Sequence, residues 1–215
     1  MLSTLRTASR LYKAARSIWS RRSSLKSQRL ARQSILISGG AAASTSALAL
    51  LEPFGWNSRA DKDGLKHLPN IDPLRPVSAQ TRIVFVTRDP EATVASLHHR
   101  GYCRHQALKL ALSARESVRL LLLGHEALHR WLVVALERQA KSFKLAAREN
   151  DNVDVLSFHD LIAQDWKKST LFTRAERGAL KALDSLHMES RRLRTDGKPA
   201  TSRQTEPKRA SFLRL

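Results

Sequence analysis

Ile83-Val84-Phe85-Val86-Thr87-Arg88-Asp89-Pro90-Glu91-Ala92-Thr93-Val94-Ala95-Ser96 is the stretch that decides the fold of this 215-residue chain. Four successive apolar residues, three of them β-branched, make a strand covered on both faces, as in the middle of a parallel sheet. Asp89 followed by Pro90 then opens a helix, because Asp accepts from the N–H groups of a first turn and Pro suits its first position. Arg88 therefore stands at the carboxyl end of a strand, and Ser96 lies two turns into the helix. A guanidinium and a hydroxyl near a helix N-terminus can jointly hold a phosphate, so the segment reads as an anion site. The plainer alternative is an Arg88 that only pairs with Asp89, beside a surface serine.

Working outward, Ser34 to Ser38 is a short apolar run that meets Gly39-Gly40. Small residues from Ala41 to Leu51 continue at helical spacing, which gives a second strand, turn and helix. Residues 52 to 81 contain Pro53, Pro69, Pro73 and Pro76 and read as loop. From Gln106 to Arg148 the pattern is helical with a break at Gly124, so two helices are expected, with an apolar face through Leu120, Leu121, Leu128, Leu132 and Leu136. Val153 to Phe158 reads as a further strand, His159-Asp160-Leu161 as the start of a helix, and residues 174 to 190 as helical. Alternating strands and helices predict an α/β fold, a parallel sheet with crossover helices that binds ligands at the carboxyl ends of its strands. One domain is expected over residues 34–190, between a basic N-terminal segment, 1–33, and a basic flexible tail, 191–215.

The net charge of +19 suggests nucleic acid at first sight. Its distribution argues otherwise: residues 1–51 carry nine Lys/Arg and no acid, residues 189–215 eight against three, and the middle 21 against 16. The excess lies mostly in the two ends, so no specific nucleic-acid partner is expected. Cys103 is the single cysteine, which excludes an internal disulfide and the framework of a small secreted domain. No apolar run is long and continuous enough for a transmembrane segment. The Arg- and Ser-rich start, with Leu5, Ala8, Tyr12, Ala15 and Trp19 at helical spacing, has the profile of an organellar, for instance mitochondrial, transit peptide. A basic tail on a cytoplasmic protein is one alternative. Export is another, through Ser20-Arg21-Arg22-Ser23-Ser24-Leu25-Lys26 as a twin-arginine signal and Ile35 to Leu51 as its apolar region.

Arg88-Asp89-Pro90-Glu91-Ala92-Thr93-Val94-Ala95-Ser96 resembles the 3′-phosphate-binding motif of the P-loop sulfotransferases that use 3′-phosphoadenosine 5′-phosphosulfate (PAPS). In that family an apolar strand ends in Arg, then Asn or Asp, then Pro, with Ser eight residues after the Arg. Ile35 to Ser46 looks like the family's first strand and 5′-phosphosulfate loop, Lys66-His67-Leu68-Pro69 like its Lys-Thr-His-Leu-Pro segment, and Val155-Leu156-Ser157-Phe158-His159-Asp160-Leu161 like its later strand and Tyr-Glu-Asp-Leu turn. The motifs follow one another in the family's order over roughly residues 34 to 170. The resemblance implies a P-loop NTPase-like three-layer sandwich, PAPS as cofactor without a metal, and a small-molecule or glycan acceptor offering a hydroxyl or amine. It implies that Gly40, Ser44, Thr45 and Ser46 bind the 5′ side, that Arg88 and Ser96 bind the 3′-phosphate, and that His67 is the catalytic base, with Lys66 assisting. One departure concerns the chemistry: Ala42 or Ala43 stands where the family's loop carries a lysine that stabilises charge on the departing sulfate, a loss of a few kcal/mol in kind, so catalysis is expected to be impaired unless Lys66 or Lys62 substitutes.

Two rival readings remain. His125-Glu126-Ala127-Leu128-His129 matches the His-Glu-x-x-His zinc motif, with Glu149 as a third ligand in the manner of a metallopeptidase. His98, His99, Cys103 and His105 form a second histidine-rich group whose spacing fits no familiar tetrahedral site. A noncatalytic nucleotide- or nucleic-acid-binding protein is the third class, and the charge suggests it.

Overall fold

The computed structural model describes residues 34–61, 64–74, 81–165 and 169–188. Among these, three parallel strands form one sheet in the order β1 (Ser34–Ser38), β2 (Arg82–Thr87) and β3 (Val153–Ser157). The register sets Ile35 beside Ile83 and Val153, and Leu36 beside Val84. Because side chains alternate across a strand, this register divides the apolar residues into two sets. Leu36, Val84, Val86 and Leu156 face one core with Trp56, Phe172 and Leu180. Ile35, Ile37, Ile83, Phe85 and Val153 face the other with Phe143 and Ala146. Helices accordingly cover both faces, and the continuous apolar runs of the strands follow from that double burial.

Helix α1 (Ser44–Leu51) and helix α7 (Arg174–Leu180) cover the first face, with a further helical stretch at 183–188. Between β2 and β3 run α2 (Pro90–His99), α3 (Cys103–Leu110), α4 (Ala114–Leu122) and α5 (His125–Glu149), and α6 (Phe158–Ile162) follows β3. The stretch expected to hold two helices holds three. The break at Gly124 is present, and a second falls at Ala111–Ser113, where Ser113 accepts from Glu116 N and the Glu116 carboxylate accepts from Leu112 N. That reciprocal cap starts a new helix, and Ser113 and Glu116 have its spacing in the sequence. Asp89 caps α2 by accepting from Ala92 N at 2.7 Å, with Pro90 at the first position. Ser157 and Asp160 form a complete capping box at α6, which begins at Phe158 rather than at His159.

The apolar stripe of α5 packs Phe143 face to face on Phe85, ring centres 4.5 Å apart. On the opposite face Glu176 is 1% exposed and receives two bonds from Arg82, both 2.9 Å, and one from Trp56 Nε1, 2.8 Å. Trp56 stacks on Phe172 beneath the Arg82 guanidinium, so one carboxylate ties α7 to the start of β2. The readings of residues 1–33, 189–215 and Lys62 lie outside the described residues. Ile35 to Leu51, the apolar region of the export alternative, is β1, its loop and α1. Among the described residues no helix is long and apolar enough to cross a membrane.

Candidate functional site

The carboxyl ends of the three strands set the site. Leaving β1, the chain turns with positive φ at Gly40 (101°), Ala41 (52°) and Ala43 (54°) before α1 starts. Such left-handed residues point successive N–H groups into a concavity, and only Gly adopts them without cost, so the two alanines hold a strained loop. No side chain caps the start of α1 and no acid lies in its first turn, which leaves the positive end of the helix facing out. Gly39 is needed for space rather than for conformation: a Cβ there would overlap Leu136 and lie 2.9 Å from Gln139 Oε1. Gln106 supports the turn by donating from Nε2 to the Gly39 carbonyl at 2.7 Å.

Arg88, at the end of the central strand, reaches both neighbours. It donates to the Ala41 carbonyl at 2.7 Å and lies over the Phe158 ring, 4.7 Å from its centre. The loop and the Arg88–Ser96 segment therefore meet. They line a single crevice of about 340 Å³, walled by Ala41 to Ser46 on one side and by Arg88, Ser96, His99 and Arg100 on the other, with Phe158 and His187 closing it. Two arginines, two histidines, three hydroxyl residues of the loop and α1, and the Ser96 hydroxyl line the crevice. No carboxylate is among these walls. A cationic wall facing a helix N-terminus offers an anion both charge and donors.

The expected residues divide on this geometry. Thr45, Ser46, Arg88 and Ser96 line the crevice. Ser44 also borders it, but it is buried and its hydroxyl shares a 2.8 Å bond with Ser38 Oγ, so it braces the loop. Gly40 shapes the turn and is not a crevice wall. Lys66 and His67 are not walls either. They approach the loop from the β1 side, where Lys66 O accepts from Ser38 N and His67 Nδ1 lies 2.8 Å from the Ser38 carbonyl. A carbonyl only accepts, so Nδ1 carries the proton and Nε2 the lone pair. Burial, then the nearby Lys109 charge, lowers the His67 pKa to about 3 against the opposing pull of Asp61. The expected catalytic base is thus neutral at physiological pH but a weak proton acceptor, and it stands off the crevice. Lys66, 5% exposed, donates to Thr45 Oγ1 at 2.5 Å and to the Arg59 carbonyl at 3.1 Å, which sets an ammonium behind the first turn of α1.

The zinc alternative does not assemble. Glu149 ends the same unbroken helix on which His129 sits, so at 1.5 Å per residue the two are about 30 Å apart. His129 instead meets Glu91 at 3.0 Å, His125 meets His98, and Glu126 pairs with Arg130. Among the described residues no group of three or more His, Cys, Asp or Glu is placed to hold a metal ion. Sequence reasoning missed Arg100, Phe158 and His187 as walls. Arg100, twelve residues after Arg88 at the end of the same helix, was the one with a local signal. No family model, no curated protein and no solved structure matches the chain.

Proposed function

We propose that the chain is a sulfotransferase-like protein whose crevice holds 3′-phosphoadenosine 5′-phosphosulfate. The observation that carries this reading is the convergence of the Ala41–Ser46 loop with Arg88 and Ser96 on one crevice, with no carboxylate among its described walls. Two anion sites on one cavity, at the ends of adjacent parallel strands, suit a nucleotide with phosphate at one end and phosphosulfate at the other. Arg88 and Ser96 would take the 3′-phosphate. Thr45, Ser46 and the N–H groups at the start of α1 would take the 5′ side. Lys66 stands behind Thr45 and supplies cationic charge near the place where the family carries its loop lysine. When bound, the nucleotide supplies an activated sulfuryl group, and the protein's part is to orient it and to stabilise the charge of the leaving phosphate. The finer fold assignment, a P-loop-type three-layer sandwich, belongs to the same proposal and is supported by the phosphate loop after β1 and the helices on both faces.

A second reading, binding without efficient turnover, is favoured by the position and low basicity of His67. Thermal shift with 3′-phosphoadenosine 5′-phosphate tests the shared element. At about 100 times Kd the ligand adds about 2.7 kcal/mol, several degrees in Tm, and Arg88→Ala removes most of the shift. Absence of any shift at millimolar ligand refutes both readings. Release of the bisphosphate product from PAPS in the presence of an acceptor phenol or amine separates them.

A further inference from the structure

A larger cavity, about 820 Å³, lies beside the crevice between α5 and the carboxyl ends of β2 and β3, and it shares Arg88 and Phe158 with the crevice as a common wall. Its size falls within the range of pockets that enclose small organic ligands. Its inner surface is chiefly hydrocarbon, from Ala140, Leu145 and the Phe158 ring. Leu145 is half exposed on an otherwise polar face of α5. The cations are arranged as well as numerous: Lys141, Lys144 and Arg148 recur at helical spacing, so they form one stripe along the cavity wall. Glu137, one turn earlier, and Asp89 are the carboxylates present, and Asp89 is engaged in capping α2. Cationic charge is therefore in excess among the described walls of an open, largely apolar cavity.

We propose that this cavity binds an amphipathic organic anion, an apolar ring or chain bearing a carboxylate, sulfate or phosphate, at a site distinct from the nucleotide crevice. The apolar body displaces water from Leu145 and Phe158, and the anionic group pairs with Lys141, Lys144 and Arg148. The inference rests on the cavity's own walls and does not require the nucleotide reading.

The test uses the full chain and titration calorimetry, with 2-naphthalenesulfonate as probe and 2-naphthol as its uncharged counterpart. The sulfonate is expected to bind at least about tenfold more tightly than the naphthol. The double variant Lys141→Glu/Lys144→Glu is expected to weaken sulfonate binding at least about tenfold, with the far-ultraviolet spectrum and Tm unchanged. The variant Arg115→Glu/Arg119→Glu, which changes net charge equally on α4, is expected to retain binding. No sulfonate binding at about 1 mM, equal binding of the two probes, or binding indifferent to the α5 charge reversal would each overturn the proposal. So would joint loss of sulfonate and 3′-phosphoadenosine 5′-phosphate binding in the α5 variant, which would mean one site rather than two. Sulfonate binding without bisphosphate binding would leave this proposal standing and the nucleotide reading refuted.

Discussion

Replacing Glu176 with Gln tests the polar hub that joins α7 to the sheet. The carboxylate is 1% exposed and accepts two 2.9 Å bonds from Arg82, one of 2.8 Å from Trp56 Nε1 and one of 2.7 Å from Thr173 N. Gln keeps the shape but turns one acceptor into a donor facing the guanidinium, which leaves Arg82 without its counter-charge. Removing one partner of a buried pair costs about 3–5 kcal/mol. The Arg82 side chain is 27% exposed and recovers some hydration, so the lower end applies, about 3 kcal/mol. In a domain of this size each kcal/mol moves Tm by about 2–4 °C, which predicts a fall of about 6–12 °C at neutral pH. The effect has a pH signature. Burial alone would raise the Glu176 pKa, but the bonds from Arg82, Trp56 and Thr173 outweigh it and hold the carboxyl below its usual range. A group with a lowered folded pKa contributes stability above its unfolded value and loses it as pH falls through the folded one. The gap between wild type and Glu176→Gln should therefore be constant near neutrality and narrow below about pH 4.5. Thermal and urea unfolding followed by circular dichroism would show both. A Tm change under about 2 °C, or a gap that stays constant into strong acid, would refute the reasoning.

Other outcomes follow from the same geometry. Gly39→Ala should lower stability by about 1–3 kcal/mol in urea unfolding, because the added methyl overlaps Leu136, whereas Gly178→Ala, within α7 and with nothing near its Cβ, should be neutral or slightly stabilising. His67, with its pKa lowered to about 3, is neutral in the folded state while the unfolded chain takes a proton near 6.5. Stability should thus fall as pH drops from about 6.5 to about 3, a window that meets that of Glu176 only below about pH 4.5, and His67→Asn should flatten this slope. Phe158→Ala removes the ring beneath Arg88 and should weaken 3′-phosphoadenosine 5′-phosphate about three- to tenfold by calorimetry, while Phe54→Ala, on the surface after α1, should not.

What could be read from the sequence was what is local. The runs Ile35 to Ser38 and Ile83 to Val86 declare buried strands because both of their faces are apolar, and Asp89-Pro90 declares a helix start because caps act over three residues. Arg88 and Ser96 were legible for the same reason, since eight residues of strand end and helix fix their relation. The remaining walls were not. Phe158 lies 70 residues after Arg88 and His187 almost a hundred, and only the order of the strands brings them to the crevice. The orientation of His67 was equally hidden, because the Ser38 carbonyl 29 residues away sets it. The His-Glu-x-x-His pattern misled in the other direction: its spacing is local, but the third ligand had to fold back, and α5 runs straight through to Glu149.

Arg88 is proposed to read a 3′-phosphate across the crevice from the loop. The direct measurement is calorimetry of 3′-phosphoadenosine 5′-phosphate and adenosine 5′-monophosphate against wild type and Arg88→Ala. A charge-assisted pair of this kind contributes about 1.5–3 kcal/mol, so wild type should prefer the bisphosphate by about ten- to a hundredfold and Arg88→Ala should bind the two nearly alike. Equal affinities in wild type, or a preference that survives loss of Arg88, would contradict it.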